Sequence, residues 1–198
     1  QSSEVALRNG MTLRTTLEMA AEIRKRTDVP LVLMGYANPL YAFGLTRFLR
    51  SGEEIGIDGV IVPDLPPEES GEYRTAAEQS GIATIFLAAP TTPPGPLVLL
   101  DEASTGFLYC VAVTGVTGER QAVPADSFLR HVRSIVQKNP LLVGFGISTP
   151  DDARRIAVLS DGVIVGSALI RILQSAPDDG AIDNAVAFVQ ALRSALDS

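Results

Sequence analysis

The chain has 198 residues, of which 46% are hydrophobic and 20% are charged, and its formal net charge is -7. This composition excludes a mainly disordered chain, and the length suits one packed domain that spans residues 1–198. The negative charge excludes a nucleic-acid-binding surface, which needs clustered Lys and Arg, and no apolar run is long enough to indicate insertion into a membrane.

Apolar runs of strand length alternate with segments of helical periodicity along the chain. The predicted strands are Pro30–Tyr36, Gly59–Pro63, Ala83–Ala88, Gly106–Val111, Leu141–Phe145 and Gly162–Val165. The predicted helices include Thr12–Thr27, Leu45–Ile55, Pro67–Gln79, Ser127–Val136 and Pro150–Leu159. Because the strand runs are almost continuously hydrophobic, they indicate parallel strands buried on both faces. The alternation predicts right-handed βαβ units around a parallel sheet.

The first predicted helix has no strand before it, although the pattern that follows is typical of a barrel. Six strands and a leading helix fit an α/β fold of the (β/α)8 TIM-barrel type that lacks its first two strands in this chain. The pentapeptide Asp58–Val62 recurs letter for letter as Asp161–Val165, which agrees with the similar units of a barrel. We therefore expect an N-terminally incomplete TIM-barrel domain whose open edges expose core surface.

The chain contains a single cysteine, Cys110, and a single histidine, His131. Cys110 lies within an apolar run, so we expect neither a disulfide framework nor a metal cluster, and we expect a reducing, cytoplasmic location. His131 lies in a charged helical segment, where a solvated side chain is a simpler explanation than a catalytic one.

Two predicted strands near the C-terminus end at glycines that are followed by helix-starting signals. Gly146 follows the run Leu141–Phe145, and Gly166 follows the run Gly162–Val165. Glycine lets the backbone approach a ligand, and the N–H groups at a helix N-terminus carry a partial positive charge. In the last two loops of a (β/α)8 barrel this arrangement binds phosphate. Each glycine is also compatible with an ordinary turn.

Five segments of the chain carry a family resemblance that covers essentially its whole length. They are Met34–Pro39, Val62–Glu69, Val113–Gly118, Gly144–Ser148 and Asp161–Ser167. In order and spacing they resemble the tryptophan synthase alpha subunit. The resemblance implies a barrel lyase of tryptophan biosynthesis that cleaves indole-3-glycerol phosphate into indole and glyceraldehyde 3-phosphate by a retro-aldol reaction. It also implies an alpha2-beta2 complex with a beta subunit that carries pyridoxal phosphate, and no cofactor or metal on this chain.

The motifs and residue types together predict the parts of a substrate site. The phosphate is expected on the backbone amides of Gly118, Gly146, Gly166 and Ser167, with the Ser167 hydroxyl as a further donor. An indole slot is expected from residues near the C-terminal ends of predicted strands, namely Tyr36, Ile61, Leu87, Tyr109, Phe145 and Ile164. Each of these side chains is also compatible with a core position. Tyr109 is favoured because a buried phenol needs a polar partner.

The segment Val113–Val123 is the candidate lid over this site. Gly115 and Gly118 provide conformational freedom, and Thr117 provides a hydroxyl that can tie the closed state to a carboxylate. Closure of such a loop excludes water from the reaction.

Asp64 follows the predicted strand Gly59–Pro63 and has two interpretations. It either supports the loop over the site, as barrel enzymes place functional groups there, or caps the helix that begins near Pro67. The resemblance also implies a partner surface at the loops Asn38–Pro39 and Asp64–Glu68, whose composition fits ordinary turns as well.

The resemblance assigns proton transfer to a glutamate and an aspartate in segments that would precede Gln1. We therefore expect no catalytic residue among residues 1–198 and no activity from this chain alone. Two alternatives remain at this point. One is a catalytically silent phosphate-binding module that activates a beta subunit. The other is a different phosphate-binding barrel enzyme, which would require a catalytic Lys, His or Cys at a strand end, and the sequence shows none there.

Overall fold

The computed structural model describes residues 2–111, 125–144, 146–175 and 180–197. The chain divides into two compact units, one formed by Gln1–Phe86 with Ala103–Gly106 and the other by Leu87–Glu102 with Phe107–Ser198. Each unit contains one parallel sheet and the helices that follow its strands. Within these ranges, no helix has the length and apolar character needed to span a membrane. The single domain expected for residues 1–198 stays a prediction.

The first unit is built on a three-stranded sheet. Its strands are β1 Val32–Met34, β2 Gly59–Ile61 and β3 Ala83–Ile85, and β2 lies between the other two with parallel pairing on both sides. Its helices are α1 Ser2–Arg8, α2 Leu13–Arg24, α3 Ala37–Phe43, α4 Leu45–Ile55 and α5 Gly71–Gln79, with a short 3-10 helix at Pro67–Glu69.

Helix α4 shows how the local sequence produces an element of this unit. Its buried residues Leu45, Phe48, Leu49 and Gly52 are spaced by three or four positions, so that they form one apolar face against the core. Gly56 ends the helix in the left-handed region with φ 87°, a conformation that glycine adopts without strain. The predicted bounds of this helix are confirmed.

The second unit is built on a four-stranded parallel sheet. Its strands are β4 Leu87–Ala88, β5 Leu108–Val111, β6 Leu141–Gly144 and β7 Gly162–Ile164, and they lie side by side in chain order. Its helices are α6 Pro94–Ala103, α7 Ala125–Ile135, α8 Pro150–Ala157, α9 Ser167–Ser175 and α10 Ala181–Leu196. Cys110 is fully buried in β5, and burial raises the pKa of its thiol to about 12. His131 lies in α7 with an exposed side chain, as expected.

A buried carboxylate ties the end of α6 to the connection between α7 and β6. Asp101 is 5% exposed, and its Oδ2 accepts hydrogen bonds from the backbone N–H of Gln137 at 2.8 Å and of Lys138 at 2.9 Å. Its Oδ1 accepts from the backbone N–H of Asn139 at 3.0 Å. Burial alone would raise the pKa of Asp101, but the hydrogen bonds from residues 137–139 outweigh it and hold the pKa below its usual 3.8.

The predicted strand Ala83–Ala88 is wrong as a single element, because it forms β3 and β4 in different sheets. Hydroxyl groups take the place of a neighbouring strand at this break. Thr105 Oγ1 accepts from the backbone N–H of Thr84 at 2.9 Å, and Ser104 Oγ accepts from the backbone N–H of Phe86 at 3.2 Å. These bonds satisfy backbone donors without a further strand.

Burial on both strand faces is confirmed for β2 and is wrong for β5. All three residues of β2 are buried, whereas β5 alternates between buried and half-buried residues. Leu108 and Cys110 point to the buried side of β5, and Tyr109 and Val111 lie on the half-buried side. The second sheet therefore presents one partly exposed face in the described structure.

Candidate phosphate-binding site

The turn after β6 is shaped by its own side chains. Gly146 has φ 72°, so the backbone conformation itself favours glycine at this position. Thr149 caps α8, and its side chain accepts from the backbone N–H of Asp152 at 3.1 Å. In return, Asp152 Oδ2 accepts from the backbone N–H of Ser148 at 3.1 Å and of Thr149 at 3.0 Å.

This reciprocal capping box decides which amides of the β6 turn remain available. The hydrogen bonds from the backbone of Ser148, and then those from Thr149, hold the pKa of Asp152 below its usual 3.8. Asp152 is therefore a carboxylate at neutral pH and occupies the positive end of α8. The backbone N–H groups of Ser148 and Thr149 already donate hydrogen bonds to Asp152, so they are not available to an external anion.

The turn after β7 is arranged differently. Gly166 directly precedes α9, and its carbonyl accepts the first bond of that helix from Ile170 N–H at 3.0 Å. The first turn of α9 contains no acidic residue. Among the described residues, neither the backbone N–H nor the hydroxyl of Ser167 has a hydrogen-bond partner, and both Gly166 and Ser167 are exposed. The positive end of α9 is open to an anion.

Neither backbone conformation nor packing explains the glycine at position 166. Gly166 does not belong to the glycines with positive φ, so an L-residue could adopt its backbone conformation. A methyl group built on Gly166 meets no atom within 4 Å. The glycine at this position is therefore compatible with close approach of another molecule to the backbone.

Three of the four predicted phosphate-binding residues, Gly146, Gly166 and Ser167, lie in the second unit. Gly118 lies outside the described residues, as does Thr117 of the candidate lid. In the described ranges, no three His, Cys, Asp or Glu side chains are grouped closely enough to hold a metal ion. The phosphate-binding roles of these residues stay predictions that geometry supports best at the α9 turn.

Three predicted indole-slot residues share the partly exposed face of the second sheet. Leu87 is the register partner of Tyr109, and Ile164 is the register partner of Gly144 on the next pair of strands. Leu87, Tyr109 and Ile164 are all half-buried, unlike the neighbouring residues on the opposite face of β5. Phe145 lies outside the described residues. The second sheet thus places Leu87, Tyr109 and Ile164 on a single apolar surface.

Tyr109 packs directly across the backbone of Gly144. A Cβ built on Gly144 would lie 2.5 Å from the Tyr109 hydroxyl and 2.6 Å from a ring carbon. Burial raises the pKa of the Tyr109 hydroxyl, which finds no hydrogen-bond partner among the described residues. Sequence reasoning did not identify Gly144 as the residue that makes room for this ring, although a glycine inside a strand is a known signal of close approach.

The first unit contains the other two predicted slot residues, and their environments differ. Tyr36 is 64% exposed and precedes α3, whereas Ile61 is 6% exposed at the end of β2. Burial of this extent leaves Ile61 little surface for a ligand, so the core interpretation suits it better. Tyr36 has ample surface for contact.

Asp64 has a structural role that sequence reasoning did not predict. Its Oδ1 accepts a hydrogen bond from the backbone N–H of Ala37 at 2.9 Å, at the first residue of α3. It does not cap the 3-10 helix at Pro67, which has no side-chain cap. The segment Asn38–Pro39 is wrong as a loop, because it lies within α3, where a proline in the first turn loses no helical hydrogen bond. Asp64 thus joins both segments of the predicted partner surface.

Parallel strands that alternate with helices define an α/β protein of the (β/α)8-barrel class. The family model of the tryptophan synthase alpha chain matches residues 1–196. The chain belongs to that family.

Individual relatives agree with this assignment. The chain is 42% identical to the tryptophan synthase alpha chain of Dehalococcoides mccartyi over 198 residues, which cover 99% of this chain and 76% of that protein. It is 43% identical to the alpha chain of Deinococcus radiodurans over 190 residues, which cover 94% of this chain and 70% of that protein.

Solved structures show that the similarity extends to the fold. The alpha chain of Legionella pneumophila matches with a TM-score of 0.84 at 32% identity, covering 98% of this chain and 73% of that chain. The a2b2 tryptophan synthase complex of Pyrococcus furiosus matches with a TM-score of 0.83 at 36% identity, covering 96% of this chain and 77% of that chain.

Proposed function

We propose that the turn at Gly166 and Ser167 binds the phosphate of indole-3-glycerol phosphate in the tryptophan synthase alpha reaction. The observation that carries this proposal is the combination at the start of α9: a Ser167 N–H with no partner among the described residues, no acidic residue in the first turn, and a glycine that neither conformation nor packing requires. Neutral amides bind a phosphate dianion through hydrogen bonds and the helix dipole without a cationic side chain.

The reaction breaks one carbon–carbon bond of the substrate. The glycerol hydroxyl loses a proton as its carbon becomes the aldehyde of glyceraldehyde 3-phosphate, and the departing indole carbon takes up a proton. In this proposal the described residues bind and orient the substrate. The α9 turn holds the phosphate, and the face formed by Leu87, Tyr109 and Ile164 contacts the indole. Proton transfer is assigned to none of them.

Tyr109 gives the apolar face a polar group. Its hydroxyl is half-buried and has no partner among the described residues, so a hydrogen bond to the substrate would satisfy it. Water exclusion by a lid that contains Thr117, supported by Asp64, remains part of the proposal.

The phosphate site is tested with Gly166→Asp and the matched variant Gly71→Asp. Gly71 is also an exposed glycine at a helix start with no atom within 4 Å of an added Cβ. Both variants place a carboxylate near the positive end of a helix, where it is tolerated or stabilising. Only Gly166→Asp should repel a phosphate from the α9 turn.

Isothermal titration calorimetry with glycerol 3-phosphate measures the difference. We expect Gly71→Asp to bind like the unaltered chain and Gly166→Asp to lose detectable binding, while circular dichroism shows the same fold for both. Unchanged affinity of Gly166→Asp would remove the phosphate assignment.

We propose that α3 and the loop Asp64–Glu68 form the surface for a beta subunit, which carries the pyridoxal phosphate. The tryptophan synthase of Pyrococcus furiosus is solved as an a2b2 complex, which supports a beta partner for this chain. In this chain the bond between Asp64 and Ala37 keeps the two segments together, and Tyr41 of α3 is 40% exposed beside them. The cytoplasmic location expected from the sequence is part of the same proposal.

A further inference from the structure

The repeated pentapeptide begins with Asp58 in the first unit, and this aspartate makes a specific set of contacts. Its Oδ2 accepts from the backbone N–H of Leu31 at 2.7 Å and pairs with Arg24, the last residue of α2, at 2.6 Å. The backbone N–H of Asp58 donates to the carbonyl of Leu31 at 2.9 Å. We call this set of contacts a latch, because it connects the residue before β2 to the residue before β1 and to the last residue of α2.

The second copy of the pentapeptide makes the same latch in the second unit. Asp161 Oδ2 accepts from the backbone N–H of Leu141 at 2.8 Å, and the backbone N–H of Asp161 donates to the Leu141 carbonyl at 2.9 Å. Arg133, in the last turn of α7, donates to both carboxylate oxygens at 2.5 and 3.1 Å. The recurrence in sequence is therefore matched by the same kinds of contact in the structure, with Arg24 pairing with one carboxylate oxygen and Arg133 with both.

The strands that follow the two latches are held very differently. In the part of the chain that the structure describes, β2 is paired on both sides and all its residues are buried. In the same described ranges, β7 has one neighbour, pairs with it at three positions, and buries none of its residues fully. Neighbouring strands and burial are what normally specify register, so within the described residues the register of β7 has fewer other constraints than that of β2.

Register of β7 determines where the α9 turn lies. Only Val165 separates β7 from Gly166 and Ser167. A slip of one residue along β6 would move the turn by about 3.3 Å and reverse which face each side chain occupies. Such a shift would take the amides of the turn away from a phosphate held over the sheet.

We propose that Asp161 and Arg133 are positioning residues for the phosphate turn, which they hold in place by locking the register of β7. This inference rests on the proposed phosphate site at Gly166 and Ser167. The latch at Asp58 and Arg24 has the same chemistry but precedes β2, a buried strand that is paired on both sides.

The two latches provide a matched pair of variants, Asp161→Ala and Asp58→Ala. Titration calorimetry with glycerol 3-phosphate should show a dissociation constant raised at least about threefold by Asp161→Ala, because a small misplacement of binding groups weakens their contacts. Asp58→Ala should leave it unchanged. Arg133→Met removes only the ion pair of a side chain that is 48% exposed, and it should weaken binding in the same direction. Equal affinities for all three variants and the unaltered chain would overturn the proposal.

Amide hydrogen exchange of the same variants tests register separately from phosphate binding. We expect exchange of Val163, Ile164 and Val165 to be about tenfold faster in Asp161→Ala, and exchange of β2 to be unchanged in Asp58→Ala. Unaltered exchange in β7, or equal acceleration in both strands, contradicts the locking role. An unaltered chain that fails to bind glycerol 3-phosphate instead overturns the proposed function, and the positioning role with it, whatever the exchange shows.

Discussion

Glycines near the candidate site serve three different physical purposes. Gly146 adopts a positive φ, so its backbone conformation favours the residue. Gly144 is needed because the Tyr109 ring occupies the space of a side chain. Gly166 has ordinary conformation and empty surroundings, which leaves room for a ligand. The same residue type in one region thus has a conformational role, a packing role and a proposed binding role at separate positions, and each can be tested separately.

The packing role of Gly144 predicts a clear stability change. Gly144→Ala would bring a methyl group within 2.6 Å of a ring carbon of Tyr109, so we expect a loss of about 1–3 kcal/mol from overpacking. The double variant Gly144→Ala/Tyr109→Leu should recover most of it, because the smaller side chain frees the space. Urea unfolding of both single variants and the double variant completes the cycle. Additive effects would show that the ring does not constrain position 144.

At the scale of elements, the N-termini of α8 and α9 differ in whether an acidic side chain occupies them. Helix α8 neutralises its positive end with Asp152, whereas the first turn of α9 contains no acidic residue. The sequence indicated a helix-starting signal after both glycines, but only the contacts of Asp152 show that one of the two helix ends is already occupied. Phosphate binding is therefore expected to depend on α9 and not on the amides of Ser148 and Thr149.

Asp152→Ala tests this division. Loss of the reciprocal cap should cost about 1 kcal/mol of folding stability without weakening glycerol 3-phosphate binding. Because its pKa is lowered in the folded state, Asp152 contributes stability fully at pH values above the unfolded pKa. That contribution is lost as pH falls below 3.8. In this range the free energy of unfolding should therefore decline less steeply for the variant than for the unaltered chain. Chemical unfolding at several pH values and calorimetry measure both effects, and reduced affinity would place the α8 amides in the site.

At the scale of the whole molecule, features that depend on residues close together in the sequence were predictable from the sequence. The apolar spacing of α4 and its final glycine define the bounds of that helix, and the glycine turns mark the ends of β6 and β7. Contacts between distant segments were not predictable from local pattern. The bond from Ala37 to Asp64 joins residues 27 positions apart, and the hydroxyls of Ser104 and Thr105 that accept from the backbone of Phe86 and Thr84 belong to another part of the chain.

The net charge of -7 leads to a prediction about ionic strength. A phosphate held by neutral amides on a negatively charged protein gains nothing from long-range attraction, and salt screens the repulsion. Affinity for glycerol 3-phosphate should therefore stay constant or rise slightly between roughly 50 and 500 mM salt. Calorimetry at three salt concentrations checks this. A steep decrease would indicate that Lys or Arg side chains hold the anion.

The burial of Cys110 has a practical consequence for experiments on this protein. Its thiol is enclosed in β5 and burial raises its pKa to about 12, so electrophilic reagents that react with thiolates should not modify the native chain. A second cysteine introduced on the surface could then be labelled selectively with a fluorophore. Once the native thiol does begin to react with a chromogenic disulfide, the rate reports how often the second sheet opens.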